Sequence, residues 1–167
     1  MRVFIFFAAL MLSGPAFGQS TEARTALLPM LAMDCGVGQT ADRFRRVVSS
    51  MAPAARSLFL DVLRDGPPGA VTAKVREDAA ARFDRSLAWA ERHPGKPHAK
   101  QWLAGADRAA YVDRAEEDAD VLYRSNALEG LRLVGQRRDR MAILSIVRDR
   151  PMLSVAGERA LAAIRRR

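Results

Sequence analysis

Few side chains in this 167-residue sequence have the chemistry of a reactive group. His93 and His98 lie close together, but Pro94 and Pro97 separate them and Glu91 is the only carboxylate beside them. Two imidazoles can share a metal only if further ligands converge on it, and an exposed turn that happens to carry two histidines explains them better. Cys35 is the single cysteine, which excludes an intramolecular disulfide and a cysteine-based zinc site. The adjacent Asp34 disfavours a thiolate, so Cys35 reads as a small buried side chain near a helix end. Glu116, Glu117, Asp118 and Asp120 form an acidic run. Their spacing spreads them around a helix, without the glycine and terminal glutamate of a calcium loop; a solvated face, or a helix start at Asp118, is the expectation. No zinc-protease, nucleophile-elbow, phosphate-loop or dinucleotide pattern occurs. Catalysis needs a nucleophile, base and stabiliser that converge, or an open metal. No catalytic residue, cofactor or metal site is therefore expected.

Charge carries more information. From Gln19 to Tyr123 there are 15 basic and 15 acidic residues; from Arg124 to Arg167 there are 11 arginines and 4 acids. Coding bias can favour Arg over Lys, but it does not gather the surplus at one end. The last stretch contains no Phe, Trp or Tyr, so it lacks the stacking platforms of a single-strand nucleic-acid binder. An acidic protein, or an anionic envelope polymer or lipid head group, is the partner class that such a field would attract.

These residues must be placed by helices. Met1-Arg2, the apolar block Val3 to Leu12, the breakers Ser13 to Pro15 and the small residues of Ala16-Phe17-Gly18 form the three parts of a secretory signal peptide, residues 1–18, cut before Gln19. The block is too short to span a bilayer, and no later run approaches that length. The expected product is exported: periplasmic in a Gram-negative cell, otherwise secreted. The remaining 19–167 suit one domain and are dense in Ala, Leu, Arg and Glu without two-residue alternation. Glycine and proline punctuation predicts helices over 22–33, 40–51, 54–64, 70–91, 99–116, 118–134, 140–149 and 153–165. Asp139 and Ser154 are expected to cap the last two. Ile143, Leu144 and Val147 are expected inward on the first of these, and Ala156, Ala160, Leu161 and Ile164 on the second, with Arg159 and Arg166 outward.

An internal echo links Val62-Leu63-Arg64-Asp65-Gly66-Pro67 with Ile146-Val147-Arg148-Asp149-Arg150-Pro151. Each ends a helix, begins a turn and precedes an Ala-rich helix. From Tyr123 to Ile164 the chain resembles a HEAT repeat of the short type seen in phycobilisome lyase-like proteins, with Arg124, Leu131, Val134, Gly135, Leu144, Val147, Asp149 and Pro151 in the pattern's positions. Residues 54–83 match half of it, and 88–117, with Trp89, Trp102 and a Pro-rich loop, do not. The resemblance implies an all-α fold of helical hairpins stacked as a short, irregular solenoid, clearest over 123–164, and scaffolding or recognition rather than a fixed chemistry. Arg137 and Arg138, in the turn, and Arg159 and Arg166, on the last helix, are then the candidate partner-binding residues. The rival expectation is an enzyme or chaperone-like factor with its site in the irregular middle segment, 88–117.

Overall fold

The computed structural model describes residues 15–33 and 38–166, with side chains from Thr21 onward. The apolar block Val3 to Leu12, and Cys35 with its neighbour Asp34, lie outside the described residues. Eight α-helices and no strand occur among the described residues: α1 Pro15–Leu31, α2 Gly38–Ser50, α3 Ala52–Asp65, α4 Gly69–Arg92, α5 Pro97–Gly105, α6 Arg108–Val134, α7 Arg140–Asp149 and α8 Ser154–Arg165. Short 3-10 turns over Arg137–Asp139 and Pro151–Leu153 lead into α7 and α8. The all-α, hairpin-built class expected from the sequence is the one adopted. No described helix is long and apolar enough to cross a membrane.

Helix α6 is the axis, packing on α1, α2, α3, α4 and α8. Its C-terminal half places Tyr123, Ala127, Leu128 and Leu131 in a core shared with Leu27, Phe44, Phe59, Leu63, Ile143 and Ile164. Glycine permits the closest approaches. A Cβ on Gly130 would stand 2.2 Å from the Phe59 ring, and one on Gly157 would stand 2.3 Å from Val147. Helix α8 runs alongside α6 in the same direction: Arg150 reaches Asp120 at 2.7 Å, Arg159 lies 4.0 Å from Glu129, and Gly135 abuts Ile164. Helix α7 runs back against α8 and α3.

The second half of α4 and all of α5 stand apart from this core. Helix α4 packs on α5 and α6, running antiparallel to α6: Arg76 pairs with Asp113 and Glu116, and Arg108 with Asp84 at 2.9 Å. Phe83 there meets Trp102 and Tyr111 at 5.3 and 5.6 Å, a separate aromatic cluster outside the main core.

Several local expectations are corrected. The break expected before Asp118 falls instead at Ala106-Asp107, because the Asp107 side chain accepts from the Ala110 N–H at 3.0 Å and caps α6. The acidic run then continues inside that helix, where Glu116 pairs with Arg76 and Asp120 with Arg124 and Arg150, while Glu117 and Asp118 are exposed. Ser154 makes no capping bond. Asp139 does not cap α7 either; its carboxylate turns inward. Leu144, expected inside, is 43% exposed, whereas Ile143 is fully buried. The neighbours of α7 cover only its Ile143, Ile146 and Val147 side.

Three polar side chains are buried in the core region, and each closes a backbone or charge requirement. Asn126 donates to the carbonyls of Leu31 (3.0 Å) and Met33 (2.6 Å), satisfying the end of α1. Arg124, counted above with the C-terminal arginines, is not a surface charge: its guanidinium grips both Asp120 oxygens at 2.9 and 3.0 Å and donates to the carbonyls of Leu63 and Arg64. It is a cation at the C-terminus of α3, where the helix dipole favours one. The two echoed turns therefore meet at one place, since Arg150 from the second also reaches Asp120. Gly66, at φ +81°, leaves room there; a Cβ would come within 2.6 Å of Asp120.

Candidate interaction surface

The turn after α6 is fixed before it displays anything. Asp139, the third of the buried polar groups, accepts the Gln136 N–H at 2.7 Å and both an Nε (2.8 Å) and an Nη donor of Arg56 from α3. Gln136 completes a reciprocal capping box. Burial pushes the Asp139 carboxyl up, but the Arg56 and Gln136 hydrogen bonds outweigh it and hold the group below the usual carboxylate range. A turn pinned this way presents Arg137 and Arg138, both exposed, on a rigid support.

Because Gly135 abuts Ile164, the start of α7 and the end of α8 come to the same end of the fold. That end gathers Arg137, Arg138, Arg140, Arg165 and Arg166, all exposed. None of the five forms an ion pair with a carboxylate among the described residues. Elsewhere in the C-terminal part Arg124 and Arg150 pair with Asp120, Arg132 with Glu129 and Arg148 with Asp149, while Glu158 on α8 is exposed and forms no ion pair among the described residues. Of the four residues singled out from the sequence, Arg137, Arg138 and Arg166 join this end. Arg159 lies further along α8, toward Glu129. Sequence reasoning missed Arg140 and Arg165, whose place depends on the α6–α8 contact.

The same hairpin leaves apolar side chains uncovered. Of the eight large hydrophobic residues exposed among the described residues, four are Met141 (74%), Leu144 (43%), Met152 (68%) and Val155 (60%). The signal was present in the sequence: Met141 and Leu144 sit three apart, and α7 is apolar over most of its circumference, more than its neighbours can bury. Methionine and arginine are both enriched at protein interfaces; Met141 and Leu144 follow the basic end along α7, and Met152 and Val155 lie at the opposite end of the hairpin.

The middle segment offers less for catalysis. His93 stacks on Trp89, with ring centroids 4.9 Å apart, and its Nδ1 lies 2.7 Å from the Trp89 carbonyl. No group of three or more potential metal ligands converges among the described residues. His98 lines an open groove but is not brought together with His93. Comparison with known proteins finds no family model, no curated protein and no solved structure that matches this chain.

Proposed function

We propose that this chain is an exported, non-enzymatic binding or scaffold protein whose α7–α8 hairpin docks on an acidic protein. The observation that carries this reading is the coincidence, on one hairpin, of five exposed arginines that form no ion pair among the described residues and four exposed large apolar side chains. A charged polymer would use the arginines alone, whereas an anionic lipid surface, which can also take apolar side chains, is the alternative that vesicle binding separates. A protein surface uses both.

Magnitudes assign the two groups different roles. Exposed ion pairs contribute about 0–1 kcal/mol each, so the arginines act mainly on encounter rate and partner choice. Burying a large apolar side chain is worth about 1.5–3 kcal/mol, so Met141, Leu144, Met152 and Val155 supply most of the affinity. The HEAT-like pattern supports the same reading, since repeat helices present extended binding surfaces, and the signal-peptide pattern supports an envelope or extracellular setting.

The test is capture of the partner from an envelope extract by the full chain and by a variant with Arg137, Arg138, Arg140, Arg165 and Arg166 changed to Gln. The variant should keep its helical circular dichroism and bind at least about tenfold more weakly, equivalent to about 1.4 kcal/mol. Binding should fall with added salt, because exposed charges are screened over about 8 Å at physiological ionic strength. Equal retention of the partner by the variant, or tight binding to protein-free anionic lipid vesicles, would overturn the reading.

A further inference from the structure

Away from the basic end, α4 and α5 enclose an open groove of about 240 Å³. Helical spacing builds it: Arg82, Arg85, Ser86 and Trp89 recur at three- and four-residue intervals on one face of α4, and His98 and Trp102 lie one turn apart on α5. No carboxylate lines it. Asp84, between the two arginines in sequence, is taken up by Arg108 of α6 at 2.9 Å. Arg82 and Arg85 are exposed and form no ion pair among the described residues. The indoles are already positioned. Trp89 is backed by His93, and Trp102 by Phe83 and Tyr111 at 5.3 and 5.9 Å, so little ordering is left to be paid on binding.

We infer that this groove binds an acidic polysaccharide, through pyranose rings that carry carboxylates. Such a ring has an apolar C–H face to lie on an indole, a hydroxyl rim for Ser86 and His98, and an acid for bidentate pairing with arginine. The groove is too open for a purely apolar ligand, whose binding depends on enclosure, and inorganic phosphate would leave both indoles unused. Its occupant is a chain rather than a single ring. His98 and Trp102 also line a second groove, of about 450 Å³, together with Gln101, Tyr111, Arg114 and Asp107, whose carboxylate there accepts the Ala110 N–H at the start of α6. Three arginines along the two grooves make a sparse track compared with the dense phosphate contacts that dominate nucleic-acid binding, so an acidic glycan fits better than a single-stranded oligonucleotide. This site is independent of the α7–α8 surface.

Trp89 and Trp102 are the only two tryptophans of the chain, so intrinsic fluorescence reads this groove directly. The full chain would be titrated with an oligogalacturonate, a neutral galactose oligomer of equal length and a single-stranded oligonucleotide. The acidic glycan should give a saturable change, with the neutral oligomer at least about tenfold weaker. The double variant Arg82→Gln/Arg85→Gln should lose that preference while its helical circular dichroism is unchanged. The five-arginine variant of the α7–α8 end should titrate like the parent, which separates this site from the partner surface. An unsaturable response to the glycan, equal affinity for the neutral oligomer, tighter binding of the oligonucleotide, or an unaltered titration in the double variant would each overturn the inference.

Discussion

Replacing Arg124 by methionine isolates the polar work done at the junction of α3, α6 and the turn before α8. The side chain is 6% exposed, and methionine keeps most of its buried volume, so packing loss is small. What disappears is a set of hydrogen bonds. The Leu63 carbonyl loses its guanidinium donor, and an orphaned buried acceptor costs about 1–3 kcal/mol. Arg64 loses a longer bond of 3.3 Å. Asp120 loses both bonds to Nε but keeps Arg150 at 2.7 Å, so its charge is not left uncompensated. The total therefore falls below the upper end of the 3–5 kcal/mol typical of breaking a buried pair, at about 2–4 kcal/mol. That is a large share of a domain stability of about 5–15 kcal/mol. Urea unfolding followed by circular dichroism measures it. Arg150→Met, on a side chain 41% exposed, should change stability by less than about 1 kcal/mol. An Asp120→Asn/Arg124→Met double variant should show a coupling of about 0.5–3 kcal/mol. If Arg124→Met stayed within about 0.5 kcal/mol of the parent, as ordinary surface changes do, the assignment of Arg124 as a structural cation would be refuted.

Three further outcomes are expected. Ile143→Ala should cost about 2–5 kcal/mol and Leu144→Ala less than about 1 kcal/mol, because only the first is buried; equal melting shifts would place the α7 face wrongly. Gly130→Ala drives a methyl group into the Phe59 ring and should destabilise by about 1–3 kcal/mol, with partial rescue by Phe59→Leu; no loss would mean that α3 and α6 are not so close. The folded-state pKa of Asp139 is depressed, so its stabilisation is fully present above the unfolded carboxylate value of about 3.9 and is lost as pH falls through the lower folded value. Asp139→Asn should lower stability at neutral pH and flatten the acid limb of a pH-denaturation series. An unchanged limb would contradict the Arg56–Asp139 geometry.

Helix content and most helix ends were legible because glycine and proline punctuate an Ala- and Leu-rich chain. Residues 140–149 were predicted as a helix, and α7 spans Arg140–Asp149. The inward face of α8 followed from its small and branched residues at helical spacing. The orientation of α7 did not, because apolar residues occupy most of its circumference and the choice of buried side depends on where α3 and α8 lie. Charge was legible as a sum but not as roles. Arg124 and Arg137 look alike in sequence, yet one is sealed between α3 and α6 while the other sits on a turn pinned by Asp139. The difference comes from the α3 carbonyls, which reach Arg124 only after α3 packs on α6; Asp120, four residues earlier on the same helix, is within reach by local spacing alone. Arg140 and Arg165 joined the candidate surface for the same kind of reason, a long-range helix contact that local spacing does not encode.

The most direct measurement of the partner surface is photo-crosslinking from a single residue on it. A photoreactive amino acid at position 144, about one helical turn beyond Met141 from the basic end, would be irradiated in an envelope extract, with position 73 on α4 as an exposed control. The predicted result is one dominant adduct to an acidic protein at position 144, absent from position 73. That adduct should weaken several-fold in about 0.5 M salt, where the Debye length has shrunk to a few ångströms, and in the five-arginine variant. No adduct at position 144, or one that persists unchanged when all five arginines are neutralised, would contradict the assignment of the α7–α8 hairpin as an acidic-protein docking surface.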